Sequence, residues 1–181
     1  MKIIQQNEKV IAYIGKDDTN EGKIIKMIEN VQENGVTDYE VDAENPRLYS
    51  EGGLLYYGKK KTMPNGKARL MLVAVPPDKK GTVEIAPGTE MIAGDAFADS
   101  KASKVILPKT VTAIVPYAFN RQSFLMHLIN AKNLREVVLN EGLTHIDEYA
   151  FRMCPMLDNI TILTQCWMLC IMHSARALSE T

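Results

Sequence analysis

Three Ala-Phe pairs, Ala96-Phe97, Ala118-Phe119 and Ala150-Phe151, constrain this chain more than any other feature, because the sequence around each can be laid over the others. An alternating apolar segment precedes each pair: Val83-Glu84-Ile85, Val105-Ile106-Leu107 and Val137-Val138-Leu139. A fourth, Ile160-Thr161-Ile162, follows the last pair. Between segment and pair lies one more apolar residue, Ile92, Ile114 or Ile146, each nine positions after the Val that opens its segment. Pro87-Gly88, Pro108-Lys109 and Glu141-Gly142 mark a turn in between. The period is 22 residues from Phe97 to Phe119, 32 from Phe119 to Phe151, and 23 from Val137 to Ile160. The longer middle repeat carries an insertion over residues 122–133. A self-similarity of this length predicts a solenoid.

In such a stack each short strand turns alternate side chains inward. Val83, Val105, Val137 and Ile160 then form one ladder and Ile85, Leu107, Leu139 and Ile162 a second. Ile92, Ile114 and Ile146 form a third, and the three Phe residues a fourth. No repeat buries its apolar edge alone, so neighbours must stack. The small Ala before each Phe lets the backbone turn closely.

The unit of strand, Pro or Gly turn, Ile and Tyr-Ala-Phe resembles the BspA-type (Treponema pallidum type) leucine-rich repeat. It runs from Val105 to Phe119 and again from Val137 to Phe151, with Cys154 where the family often has a cysteine. Upstream, Val41-Asp-Ala-Glu-Asn-Pro-Arg-Leu-Tyr-Ser-Glu-Gly-Gly-Leu-Leu-Tyr56 resembles the hairpin unit that interrupts these arrays, with Leu70–Pro76 as its return strand. The resemblance covers Val41 to about Leu163; Ala102 stands where the family has Leu, and neither the first forty residues nor the last eighteen match. It implies a leucine-rich repeat solenoid, mostly β, of short parallel strands stacked by repeat. It also implies a protein-binding or adhesive module, secreted or on the cell surface of a bacterium, without catalysis or cofactor.

The expected organisation is an N-terminal strand and helix cap over 1–40, a β-hairpin unit over 41–80, repeats over 81–163 and an irregular or helical tail over 164–181. Within the cap, Val10–Ile14 reads as a strand. Gly22 to Gly35 reads as a helix with Ile24, Ile25, Ile28 and Val31 on one face and Gly35 as its stop.

Charge excludes one class of partner. With 21 basic and 22 acidic residues, the formal net charge is −1, and no basic face is indicated for neutralising phosphates. The one basic run, Lys59–Lys61, sits beside Pro64-Asn65-Gly66 and reads as a solvated loop. No signal peptide is visible, since Gln5, Gln6, Asn7 and Glu8 interrupt the apolar start at once. The apolar window Ile160–Met172 is broken by Thr161, Thr164 and Gln165 and is too short to span a bilayer. A cytoplasmic location is therefore the alternative to the surface.

Catalytic chemistry finds no residues to rest on. There is no phosphate-binding glycine loop, no nucleophile elbow and no His-Glu-x-x-His. The odd cysteine count, Cys154, Cys166 and Cys170, argues against a disulfide scaffold. Cys166, Cys170 and His173 share helical spacing but fall short of the four ligands of a structural zinc, and the tail reads as an apolar end packed on the last repeat.

The candidate contact surface follows from strand alternation. Glu84, Ile106, Val138 and Thr161 lie between inward positions, and Thr82, Lys104, Glu136 and Asn159 share their face. Ile106 and Val138 make a small apolar centre with a polar rim, which suits a protein partner; the alternative is that they only satisfy strand propensity. The insertion near Phe124 is a second candidate contact. A carbohydrate-binding module would show aromatic residues on this face, and its only candidates are Tyr49, Tyr56 and Tyr57 of the hairpin. A structural spacer, or a piece of a longer repeat protein, is the remaining reading.

Overall fold

A computed structural model describes residues 2–58, 70–121, 129–147, 149–152 and 154–162. The Lys59–Lys61 run, Phe124 and the Cys166, Cys170, His173 tail lie outside the described residues.

The chain opens with a three-stranded sheet of order β1-β2-β3, from β1 (Lys2–Gln6), β2 (Lys9–Ile14) and β3 (Asp38–Val41). β1 and β2 are antiparallel, while β2 and β3 are parallel and joined through helix α1 (Glu21–Asn30). Asn20 caps α1, its side-chain oxygen accepting from the Lys23 N–H at 3.0 Å. The helix ends earlier than its periodicity suggests. Its last turn tightens into a 3-10 turn over Val31–Asn34, a common helix ending, and Gly35 at φ 64° stops it. Ile24 and Val31 are buried, but Ile25 is 57% exposed and leaves the expected apolar face. One residue along a helix is a rotation of about 100°, which carries Ile25 to the rim. β1 was not legible as a strand.

A meander follows: β4 (Leu48–Glu51), β5 (Leu54–Tyr57) and β6 (Leu70–Ala74), antiparallel throughout. This is the expected hairpin with its return strand. One core cluster joins Ala12, Ile14, Ile24 and Tyr39 of the N-terminal unit to Leu48, Leu55 and Ala74 of the meander. Buried Asn45 reinforces the joint. Its side-chain amide donates to the Gly15 and Asp18 carbonyls at 2.7 and 3.2 Å, while its oxygen accepts from the Leu48 N–H at 2.9 Å.

The solenoid is built from β7 (Lys80–Glu84), β8 (Thr89–Ile92), β9 (Lys101–Ile106), β10 (Ala113–Ile114), β11 (Asn120–Arg121), β12 (Ile129–Asn130), β13 (Glu136–Leu139), β14 (His145–Ile146) and β15 (Asn159–Ile162). Two sheets line it. The first is parallel, of order β15-β13-β9-β7; the second has order β14-β10-β8-β6-β5-β4 and so continues the repeats into the meander. That second sheet is a departure from the sequence reading, which gave Ile92, Ile114 and Ile146 as a ladder without strands. The core lies between the sheets. Val83, Val105, Val137, Ile85, Leu107, Leu139, Ile92, Ile114 and Ile146 are all buried in one cluster with the three Phe residues.

On the third side the rings stack, Phe97 to Phe119 at 4.5 Å and Phe119 to Phe151 at 4.6 Å between centroids. The strand spacing of about 4.8 Å fixes this separation, so parallel stacking is the only arrangement open to a ring at each repeat. The insertion does not disturb the stack. It departs through the antiparallel β11–β12 pair, and the Ala131 N–H returns to the Phe119 carbonyl at 3.0 Å.

The residue before each Ala is forced into left-handed backbone: Asp95, Tyr117 and Tyr149 all have φ 60°. That conformation costs an L residue roughly 1–2 kcal/mol. Tyr117 and Tyr149 offset part of the cost by stacking at 5.4 Å, with Arg152 over the Tyr149 ring at 5.1 Å. Tyr117→Gly relieves the backbone and loses the stack, so its stability should lie within about 1 kcal/mol of the parent. Tyr117→Val keeps the strain, adds branching at Cβ and also loses the stack, so it should cost about 2 kcal/mol. Urea titration of the two variants checks the ordering.

Candidate binding surface

The register of the first sheet decides which side chains share a face. Thr82 pairs with Lys104, Lys104 with Glu136 and Glu136 with Asn159. Two residues on, Glu84 pairs with Ile106, Ile106 with Val138 and Val138 with Thr161. All eight residues singled out in the sequence therefore stand in two straight rows across four strands. Their intervening partners Val83, Val105 and Val137 are buried, so the rows face outward.

Thr82, Glu84, Asn159 and Thr161 are exposed at the two margins, whereas Lys104, Ile106, Glu136 and Val138 are half-buried in the middle. Lys104 and Glu136 form an ion pair at 3.0 Å. At about a third exposure for each side chain, that pair contributes little to stability, but it links the row that lies two residues before Ile106 and Val138 on the same face. The central patch is thus an apolar couple beside a neutralised charge pair.

The second sheet carries a row of its own. Met71, Met91, Ala113 and His145 are consecutive partners across its strands, with Tyr57 next to Met71. Met91 is 38% exposed, and His145 ends the row with its Nε2 at 2.7 Å from Asp147 Oδ1. The signal was present in the constant nine-residue interval, which fixes residues 91, 113 and 145 just before the Ile ladder.

The hairpin tyrosines fare badly as a carbohydrate platform. Tyr56 is fully buried, its hydroxyl accepting from the Ala86 N–H at 3.0 Å, and burial pushes its pKa up to about 12. Tyr49 is half-buried, packs across the strands against Tyr56 with centroids 6.0 Å apart, and its hydroxyl donates to Glu51. Only Tyr57 of the three is exposed.

Cys154 is a core thiol: it is 4% exposed, free, and pushed up to about 12 by burial. A thiol so poor in thiolate is neither a nucleophile nor a ready metal ligand. Among the described residues, no group of three or more His, Cys, Asp or Glu is placed to hold a metal ion, and no helix is long and apolar enough to cross a membrane.

Comparison with known proteins agrees with this geometry. No curated protein matches the sequence. Among solved structures, the chain is similar to a leucine-rich repeat protein from Eubacterium ventriosum, at 20% identity over 83% of this chain and 35% of that one, with a TM-score of 0.58. It is also similar to the pneumococcal vaccine antigen PcpA, at 17% identity over 69% of this chain and 33% of that one, with a TM-score of 0.46. A leucine rich cell surface protein from Faecalibacterium prausnitzii matches at 19% identity over 70% of this chain and 36% of that one, with a TM-score of 0.44. The chain spans about a third of the length of each. The BspA type leucine rich repeat region (6 copies) matches residues 79–169, half of the chain. With that match laid over a solenoid whose ladders follow the repeat residue by residue, the chain belongs to the BspA-type leucine-rich repeat family.

Proposed function

We propose that this chain is a non-enzymatic protein-binding module of a secreted or surface protein, and that it binds its partner through the outer face of the first sheet. The observation that carries this reading is the pair of in-register rows, with half-buried Ile106 and Val138 at the centre and polar residues at both margins. An apolar centre with a polar rim is the anatomy of a protein contact. The rows sit on a rigid, hydrogen-bonded sheet, so binding orders little that was free before. The surface or secreted location rests on the family alone.

The test is Ile106→Glu with Val138→Glu. Both side chains point away from the core, so the circular dichroism spectrum and melting curve should stay near those of the parent. Binding to a partner recovered with the parent protein should fall by about a hundredfold or more, as for a central contact residue. Undiminished affinity in a folded double variant would move the contact off this face, with the second-sheet row around Met91 as the next surface to probe.

A further inference from the structure

We propose that β1 is a pairing edge through which two copies of this chain join, antiparallel, into one continuous sheet. Among the described residues the strand lies at the edge of its sheet, and all five of its residues are exposed. Apart from Lys2 at its outer end, it shows none of the charges, prolines or bulges that usually protect an edge. Lys-Ile-Ile-Gln-Gln has one charge, at its first residue, and no proline, and it pairs with β2 in unbroken register from Lys2 to Gln6. Ile3 and Ile4 are 42% and 39% exposed.

Two other edges among the described strands are guarded. The far side of β3 is engaged by the meander, the Tyr39 N–H donating to the Gly53 carbonyl and the Val41 N–H to Ser50 Oγ, each at 2.9 Å. β7, which also opens with a lysine, has in addition a register shift at Gly81, a bulge that β1 lacks and that discourages pairing.

A second copy fits β1 because the strand complements itself. Centred on Ile4, an antiparallel pair places Ile4 against its own counterpart, Ile3 against Gln5 and Lys2 against Gln6, so no like charges meet. An antiparallel ladder accepts this two-fold whichever way the Ile4 backbone groups point, since hydrogen-bonded and non-bonded positions simply alternate. Each copy presents the same patch, as an isologous dimer requires. Five residues per copy is a small contact beside a standard interface, so the dimer is weak and forms in the micromolar to millimolar range.

Sedimentation equilibrium of the whole chain should show a monomer–dimer equilibrium there. Ile4→Lys and Ile4→Glu should each weaken it by roughly tenfold or more, through like charges on the two-fold. Mixing the two variants should restore association. A cysteine version guards against variants that fail to fold: Ile4→Cys should cross-link copies under mild oxidation, the paired Cα atoms lying within disulfide reach, whereas Gln5→Cys, facing Ile3, should not. A parent that stays monomeric throughout, variants that dimerise unchanged, or a mixture that stays monomeric would each overturn the pairing.

Discussion

Phe119→Ala should lower the unfolding free energy by about 3–5 kcal/mol, the range for deleting a fully buried ring. Two observations put Phe119 at the top of that range. It is 0% exposed, and among the described residues it alone of the three rings has an aromatic neighbour on both faces, at 4.5 and 4.6 Å. Truncation therefore leaves a cavity that the neighbouring repeats cannot close, because their separation is set by the strand hydrogen bonds. Breaking each stacked ring pair adds about 0.5–1.5 kcal/mol to the area term. Phe151→Ala removes a ring with one stacked neighbour among the described residues and 7% exposure, so it should cost less. Phe119→Leu should recover roughly half of the loss by refilling the space without the stack. A domain of ordinary stability has only about 5–15 kcal/mol to lose. A solenoid holds together by packing between adjacent repeats, so cutting it in the middle should also broaden the transition. Urea unfolding of the four proteins, followed by far-ultraviolet circular dichroism, checks both the order and the width. A Phe119→Ala loss below about 1.5 kcal/mol would mean that the ring stack is not what couples the repeats.

That stack was legible because its signal is redundant. Four ladder columns, repeated with constant internal spacing, fix both the strand register and the outward rows, and Thr82 through Thr161 stand where alternation puts them. The features that escaped the sequence are those with no period to read. β10 and β14 are two residues long, too short for alternation to separate a strand from a turn. They are strands because β8 is already paired to β6, β10 adds to β8, and β14 adds to β10. β1 has no alternation either: both of its central residues are isoleucines, and both are exposed. The left-handed backbone at Tyr117 and Tyr149 was hidden because tyrosine is not a residue that announces positive φ. There the packing of the following Ala and Phe decides the backbone, and the side chain adapts. Ile25 was misplaced for the opposite reason, an apolar residue being assigned to the buried face on hydrophobicity alone.

The second large effect should come from Asp38, where the N-terminal unit meets the rest of the chain. Its side chain is 9% exposed, and its Oδ1 lies 3.2 Å from the Nζ of both Lys9 and Lys79. Lys79, at the entry to the first repeat, also donates to the Gly52 carbonyl at 2.9 Å. One buried anion thus ties β3, the β4–β5 turn and the start of the solenoid. The turn can approach so closely because Gly53, at φ 79°, has no side chain; a methyl group there would run into the carboxylate. Burial alone would raise the Asp38 pKa, but hydrogen bonds from Thr37, Lys79 and Lys9, with the charge of Lys79, outweigh it and hold the group below its ordinary value. Of the two lysines Lys79 matters more, since the Lys9 side chain is 62% exposed and that pair is screened by solvent. Asp38→Ala strips Lys79 of its anionic partner, leaving it the Gly52 carbonyl, and should cost roughly 2–3 kcal/mol at neutral pH, somewhat less than breaking a fully buried pair. The pH dependence has a definite sign. A depressed folded pKa stabilises the fold at pH above the unfolded carboxylate value of about 4, and that contribution is lost as the pH falls through the folded value. The gap between parent and Asp38→Ala should therefore be constant from pH 7 to about 5 and narrow below about 4, with the parent curve descending toward the variant. Gly53→Ala should reproduce the neutral-pH loss by displacing the carboxylate from the outside. A gap that persisted unchanged into acid would assign the effect to packing of the Asp38 side chain, and the clasp would then hold by shape and not by charge.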